Sequence, residues 1–277
     1  MPEGHTLHRL ALDLREAYAG AAPAVSSPQG RFAEGAALLD GRTVEGTDAW
    51  GKLLFVHFAG EAVLYVHLGL IGTFVLQRVG GSAEPPVTGQ VRVRLWDGRT
   101  VADLRGPMAC RVLTPAEQGA LVARQGPDPL RPESDPDRGW ERVRRSRRSI
   151  GELLMDQTVL AGVGNIYRSE VLFRHRVNPA FAGTRIKRTT WQAMWEDLVA
   201  LMPWGVRTGR IITRDEVLEQ VRDAVAAGEQ PRRVPVPRDF AVYQRTGQPC
   251  LRCGARVRTA VVAGRNLFWC GGCQRRT

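Results

Sequence analysis

Four cysteines near the end of this 277-residue chain constrain its folding more than any other feature. They read Cys250-x2-Cys253, sixteen intervening residues, then Cys270-x2-Cys273. Two knuckles at that separation bring four thiolates into a tetrahedron around one zinc ion, closed to solvent and therefore structural. Between them, residues 256–262 and 267–269 read as short strands joined near Gly264-Arg265-Asn266. So small a hairpin buries little core, and metal is expected to hold its shape. Two disulfides are the alternative, disfavoured in a protein expected in the cytoplasm. That location is expected because Met1-Pro2-Glu3-Gly4-His5 has neither a basic start nor a hydrophobic segment. No apolar run approaches the roughly 20 residues of a membrane span. The fifth cysteine, Cys110, stands alone on an expected strand and reads as a small core residue.

Charge is distributed unevenly. The net charge is +11, yet residues 1–120 carry 11 basic and 12 acidic side chains, against 28 and 16 in residues 121–277. From Phe240 onward there are seven arginines and no acidic residue. A segregated basic half suits a phosphate-bearing partner better than a merely solvated surface does. Only Lys52 and Lys187 are lysines, so nearly every cation is written as arginine. Lysine can titrate where arginine cannot, which marks Lys52 for chemistry; Lys187, between Arg185 and Arg188, reads as ordinary surface.

Leu7, Leu10, Ala11 and Leu14 repeat at helical spacing, predicting a helix from about Thr6 to Tyr18. Strands are expected at 53–58, 62–67, 73–77, 91–96 and 109–113, with a hairpin turn at Asp97-Gly98. Residues 1–115 thus read as a β-rich domain with an early helix. Residues 116–138, within a stretch rich in Pro, Gly, Asp and Arg, read as a linker, and 139–235 as a helical domain. Ser149, Asn165, Thr189 or Thr190, and a capping box at Thr213–Glu216 are the expected helix starts. The cysteine module spans 240–277, and the role of the segment 202–213, a lid or not, stays open.

Two further places can carry chemistry. In Gly162-Val163-Gly164-Asn165-Ile166-Tyr167 a tight turn feeds a helix start, where backbone N–H groups point at an anion. The alternative is a plain junction between two core helices. The other place is the N-terminus, since Met is normally removed before Pro. The exposed Pro2 amine would have a reference pKa near ~8 and a useful neutral fraction at pH 7, unlike a lysine side chain. Such an amine is a nucleophile of the Schiff-base kind, and Glu3 beside it can move protons. Taken alone, the same three residues could be an ordinary chain start. Arg265 in the cysteine module is either a solvated turn residue or a phosphate contact.

Taken together these landmarks resemble the formamidopyrimidine-DNA glycosylase and endonuclease VIII family of bacterial base-excision enzymes. The resemblance runs through Met1-Pro2-Glu3-Gly4, Trp50-Gly51-Lys52-Leu53, His67-Leu68-Gly69-Leu70, Gly162 to Tyr167, and Gln248-Pro249-Cys250 through Cys273. It implies an α+β architecture: an N-terminal β-sandwich, a helix–two-turn–helix domain and a zinc finger, with damaged DNA bound between the domains by a monomer on the nucleoid. It implies Pro2 as Schiff-base nucleophile, Glu3 as proton donor, and Lys52 as a strand-borne cation that aids elimination and grips a phosphate. Asn165 would hold the DNA backbone, and Arg265 would contact phosphates and support δ-elimination. Leu70 would be the apolar wedge that fills the hole left by an everted nucleotide.

Some positions depart from the family pattern. His5 and Thr6 follow Gly4, so a second acidic residue is missing. The formamidopyrimidine wedge loop, Asp-Pro-Arg-Arg-Phe-Gly, stands here as Asp103-Leu104-Arg105-Gly106-Pro107, which keeps a DNA-contacting arginine, Arg105, but no aromatic. Gly4 and Trp269-Cys270 are similar to endonuclease VIII, which implies oxidised pyrimidines as substrates. An enzyme preferring oxidised purines and a non-catalytic zinc-ribbon DNA-binding protein are the alternatives.

Overall fold

The computed structural model describes residues 2–80 and 83–275, which divide into two compact units, Met1–Arg124 and Gln125–Thr277. In chain order the first contains α1 (Gly4–Tyr18), β1 (Ala24–Ser26), α2 (Ala33–Leu39), β2 (Val44–Trp50), β3 (Leu53–Phe58), β4 (Ala62–His67), β5 (Thr73–Arg78), β6 (Val93–Trp96), β7 (Thr100–Arg105), β8 (Ala109–Leu113) and α3 (Pro115–Ala123). Its described strands make two four-stranded antiparallel sheets, β2-β3-β4-β8 and β1-β6-β7-β5.

Alternation decides what each face buries. Leu54, Val56 and Phe58 of β3, with Leu64 and Val66 of β4, join Leu95, Ala102 and Leu104 of the second sheet in one core. Leu7, Leu10, Ala11 and Leu14, the stripe expected on α1, complete it. Leu53, Phe55, Val63 and Tyr65 point the other way, where α3 covers them with Leu121 and Val122. The middle of this sheet is therefore buried on both faces.

α3 corrects the linker expectation for residues 116–138. Thr114 and Glu117 cap each other reciprocally, Pro115 occupies the first turn, and the Gly/Pro-rich composition masked a helix whose apolar side is short. A second helix, α4 (Pro136–Val143), opens within the same stretch, capped by Asp135. β1, α2, β2 and β7 have no counterpart among the expected elements.

The second unit continues with α5 (Ile150–Leu153), α6 (Asn165–Arg174), α7 (Arg188–Thr208), α8 (Asp215–Ala226), β9 (Val257–Val262) and β10 (Arg265–Cys270). Val143, Leu154, Leu172, Trp191, Leu198 and Val221 belong to one helical core. Gly139 lets α4 approach α7: an added Cβ would lie 2.6 Å from the Val159 carbonyl oxygen and 2.7 Å from the Trp191 ring. Ser149 caps α5 as expected, with Glu152 as its partner. The other three caps differ. Gly164, not Asn165, occupies the N-cap of α6; Lys187, not Thr189 or Thr190, precedes α7; and Thr213 leaves the start of α8 uncapped to bond elsewhere. Residues 202–208 close α7, and Met202, Ile212 and Thr213 of the segment 202–213 are buried. No described helix is long and apolar enough to cross a membrane.

Candidate active site

The position of the chain start within the first unit follows from how α1 lies along β2. Ala19 bridges Val44, and the Thr47 hydroxyl donates to the Ala11 carbonyl at 2.6 Å, so the helix runs back along the strand. From Ala11 to Gly4 the helix rises about 10 Å, the length of roughly three strand residues. That brings Pro2 and Glu3 to the Trp50 end of β2. Glu3 is wholly buried at the N-cap position of α1.

Lys52 sits at the same end, in the tight turn between β2 and β3 where Trp50 pairs with Leu53 and Gly51 takes a φ of 55°. It is thus carried by a turn rather than by a strand. His67 closes β4 nearby. Its imidazole is held below the usual range by burial and then by the charge of Lys52. His5 falls further, to about 3, through burial, followed by the positive charges of the chain terminus, Arg9 and His8. Both imidazoles are neutral at pH 7.

The next two loops meet at this end of the sheet. The Met108 amide donates to the His67 carbonyl at 2.9 Å, and a Cβ on Gly69 would come within 2.9 Å of the Met108 Cβ. At their tips Leu70 is 47% exposed, Ile71 84% and Met108 69%. Three large apolar side chains standing in water on adjacent loops make an unsatisfied apolar tip. Of these, sequence points only to Leu70; Ile71 follows it directly, and Met108 requires the pairing of β4 with β8. Arg105, at the end of β7, is half-buried and donates to Asp103 and to the Thr88 carbonyl. Cys110 is half-buried against the core, and burial pushes its thiol up to about 12, as suits an inert packing residue.

In the second unit the four tail cysteines converge. Their sulfurs all lie within 4.8 Å of one another, with Cys250–Cys273 at 3.9 Å and Cys253–Cys270 at 3.5 Å. A tetrahedral zinc with bonds near ~2.3 Å holds its sulfurs about 3.8 Å apart, so the donor set fits one zinc. The ion would cross-link the two knuckles as thiolates and supply no reactive position. β9 and β10 pair through Val262 and Arg265, and the turn itself is Ala263-Gly264, both at positive φ. Arg265 therefore opens β10 beside the turn instead of forming its tip, because this two-residue turn ends two positions earlier than expected.

The zinc hairpin is joined to α6 by hydrogen bonds that sequence does not reveal. The Asn165 amide donates to the Asn266 carbonyl at 2.9 Å. Buried Arg168 donates to the Asn165 side-chain oxygen and, at 3.1 Å, to the Gly151 carbonyl. Gln274 accepts from the Cys270 amide at 2.7 Å and donates to the Val177 carbonyl at 2.9 Å. Glu170, with no exposed surface, accepts from the amides of Ala241, Val242 and Tyr243 and from the Thr213 hydroxyl. One signal could have found it: Glu170 falls on the same helical stripe as Ile166 and Phe173, both in the tail's core.

Residues 1–108 match the formamidopyrimidine-DNA glycosylase N-terminal domain, 125–217 the H2TH (helix–two-turn–helix) domain of the same enzymes, and 247–276 the zinc finger found in FPG and IleRS. Endonuclease 8 1 of Mycobacterium tuberculosis is 49% identical over 275 residues, covering 99% of this chain and 100% of that protein. The chain belongs to the formamidopyrimidine-DNA glycosylase and endonuclease VIII family. A formamidopyrimidine-DNA glycosylase of Roseiflexus sp. is 32% identical over 240 residues, 86% of this chain and 84% of the relative. The MutM (Fpg) protein of Thermus thermophilus superposes with a TM-score of 0.76 at 27% identity, each chain covered in full. Membership makes this protein a DNA glycosylase of base-excision repair that acts on oxidised bases, with one structural zinc. The family's three parts correspond to the β-sandwich, the α4–α8 helices and the β9–β10 hairpin.

Proposed function

We propose that this glycosylase is bifunctional, excising oxidised pyrimidines and then cutting the strand through a Schiff base on Pro2. The observation that carries the reading is the convergence of the α1 start, with Glu3 buried at its N-cap, and the Lys52 turn at one end of the sheet. After loss of Met1, which lies outside the described residues, the Pro2 amine attacks C1′ of the damaged nucleotide. The bond from C1′ to the base breaks, and Glu3 protonates the opening sugar oxygen. The resulting iminium acidifies the C2′ proton, whose removal expels the 3′ phosphate; a second elimination expels the 5′ phosphate, and hydrolysis returns the free amine.

Lys52 grips a phosphate beside the lesion and assists elimination. Asn165, at the start of α6, and Arg265, in the acid-free segment that begins at Phe240, hold the DNA backbone, and Arg265 supports the second elimination. Leu70 enters the duplex where the nucleotide has left, and Arg105 faces the strand across from it. The pyrimidine preference is supported by Gly4, by Trp269-Cys270 and by the identity to an endonuclease 8.

Borohydride reduction in the presence of DNA carrying an abasic site tests this reading. A covalent adduct whose linkage maps by mass spectrometry to Pro2, and which is lost when Met1 is retained, is expected. An adduct on another residue, or undiminished cleavage with a blocked N-terminus, refutes it. A lesion panel that favours oxidised purines refutes the pyrimidine assignment alone.

A further inference from the structure

Arg94 and Arg105 share a network of ion pairs with two carboxylates, Asp103 and Glu84, around the β6–β7 pair. Arg94 on β6 and Asp103 on β7 stand directly opposite each other, and both are buried. Arg94 reaches the carboxylate with two nitrogens, Nε to Oδ1 at 2.7 Å and Nη2 to Oδ2 at 2.9 Å. Its remaining nitrogen, Nη1, donates to the Pro85 carbonyl at 2.6 Å and to Glu84 at 3.2 Å. The guanidinium is fully engaged, so Asp103 is held in one orientation.

Arg105 lies two residues farther along β7 and so on the same face. Its Nη2 donates to Asp103 Oδ2 at 2.7 Å, and its Nε and Nη2 also reach the Thr88 carbonyl, at 3.3 and 3.2 Å. Nη1 is then the one nitrogen of Arg105 left without a protein partner among the described residues. The side chain is 29% exposed, so that nitrogen meets solvent. It does so one residue before Gly106, where an added Cβ would lie 3.9 Å from the Ile71 side chain. An arginine with one edge fastened and one N–H group open has already given up the freedom that binding otherwise removes. Arg94 and Arg105 together face two carboxylates, Asp103 and Glu84, so the network carries no net charge, which favours directional hydrogen bonding over phosphate attraction.

We propose that Asp103, fixed by Arg94, is the positioning residue that aims Arg105 at an acceptor on the base opposite the lesion. This rests on the assignment of Arg105 to the opposite strand, and the two ideas can be tested apart. Excision of one lesion is measured opposite each of the four bases, with cleavage of a single-stranded abasic oligonucleotide as the control. Arg105→Ala is expected to shrink the ratio between best and worst opposite base by about tenfold, the low end for a positioned arginine–base contact. Asp103→Asn is expected to match it, to leave the single-strand control within about twofold, and to add nothing in the Arg105→Ala background.

If Asp103→Asn strands Arg94 and unfolds the protein, the paired change Arg94→Met with Asp103→Leu removes both charges together and keeps the volume, a replacement that buried ion pairs tolerate. It is expected to give the same lost ratio with a melting temperature near that of the parent. A parent enzyme indifferent to the opposite base, or an Arg105→Ala variant with unchanged ratios, refutes the role of Arg105. Full discrimination in the Asp103 variants, with Arg105→Ala defective, overturns the positioning role specifically.

Discussion

Replacing Glu170 tests whether one buried carboxylate joins the helical core to the zinc-bearing tail. Its Oε1 accepts from the amides of Val242 at 2.8 Å and Tyr243 at 2.9 Å; its Oε2 accepts from the Ala241 amide at 2.8 Å and the Thr213 hydroxyl at 3.0 Å. Glu170→Ala strands three backbone donors, each costing about 1–3 kcal/mol when left buried without a partner. The segment can relax toward water, which places the expected loss at about 4–6 kcal/mol, a large share of the 5–15 typical of a folded protein. Glu170→Gln keeps one oxygen and turns an N–H group toward the Ala241 amide, an expected loss of about 2 kcal/mol. Thr213→Val removes only a hydroxyl that is one donor among four, with an expected cost below about 1 kcal/mol. Denaturant unfolding followed by tryptophan fluorescence reads this order, since five of the seven tryptophans lie in the second unit. Hydrogen exchange at residues 241–243 localises it. A Glu170→Gln protein within about 0.5 kcal/mol of the parent, or one no weaker than Thr213→Val, would refute the reasoning.

Chelating the zinc should unfold the β9–β10 hairpin and weaken DNA binding while the β-sandwich stays folded; circular dichroism and a DNA titration together check this, and loss of the sandwich signal contradicts it. Lys52→Ala should slow strand scission at an abasic site at least tenfold and Lys187→Ala should not, since only Lys52 lies at the end of the sheet reached by the chain start; equal rates discredit the placement. The buried His5 titrates at about 3, whereas an unfolded histidine does so near ~6.5. Unfolding therefore takes up a proton between those values, so the neutral imidazole's contribution is complete above about pH 6.5 and is lost as the pH falls toward 3. His5→Gln should flatten the acid limb of the stability profile by up to about 1.4 kcal/mol per pH unit, and an unaltered slope speaks against the burial argument.

What can be read from sequence alone divides along physical lines. β3 and β4 are plain because they are nearly continuous apolar runs, as strands buried on both faces must be. β2 is hidden because only Val44 and Ala49 of its seven residues are buried. β7 is hidden because Asp103 breaks its apolar pattern, and the arginine that neutralises it sits nine residues away on another strand. The zinc ligands are legible because their spacing is itself the geometric requirement. Asn165 stands at the helix start that sequence marks but is no cap, since it lies one residue inside the helix and its side-chain oxygen, the atom a cap would use, accepts from Arg168. Partnerships such as that of Glu170 with Ala241–Tyr243 leave no local trace, because hydropathy patterns report which face is dry and not which donor waits there.

The helix α3 sets where this protein can be divided. Amphipathic cover over Phe55 and Tyr65 comes from Leu121 and Val122, beyond the last strand and beyond the stretch that matches the family's N-terminal domain. A recombinant fragment ended at the close of β8 would present a greasy wall to solvent and clump with its own kind. One carried on through Ala123 keeps that wall roofed, so expression boundaries and limited-proteolysis cuts belong after the helix.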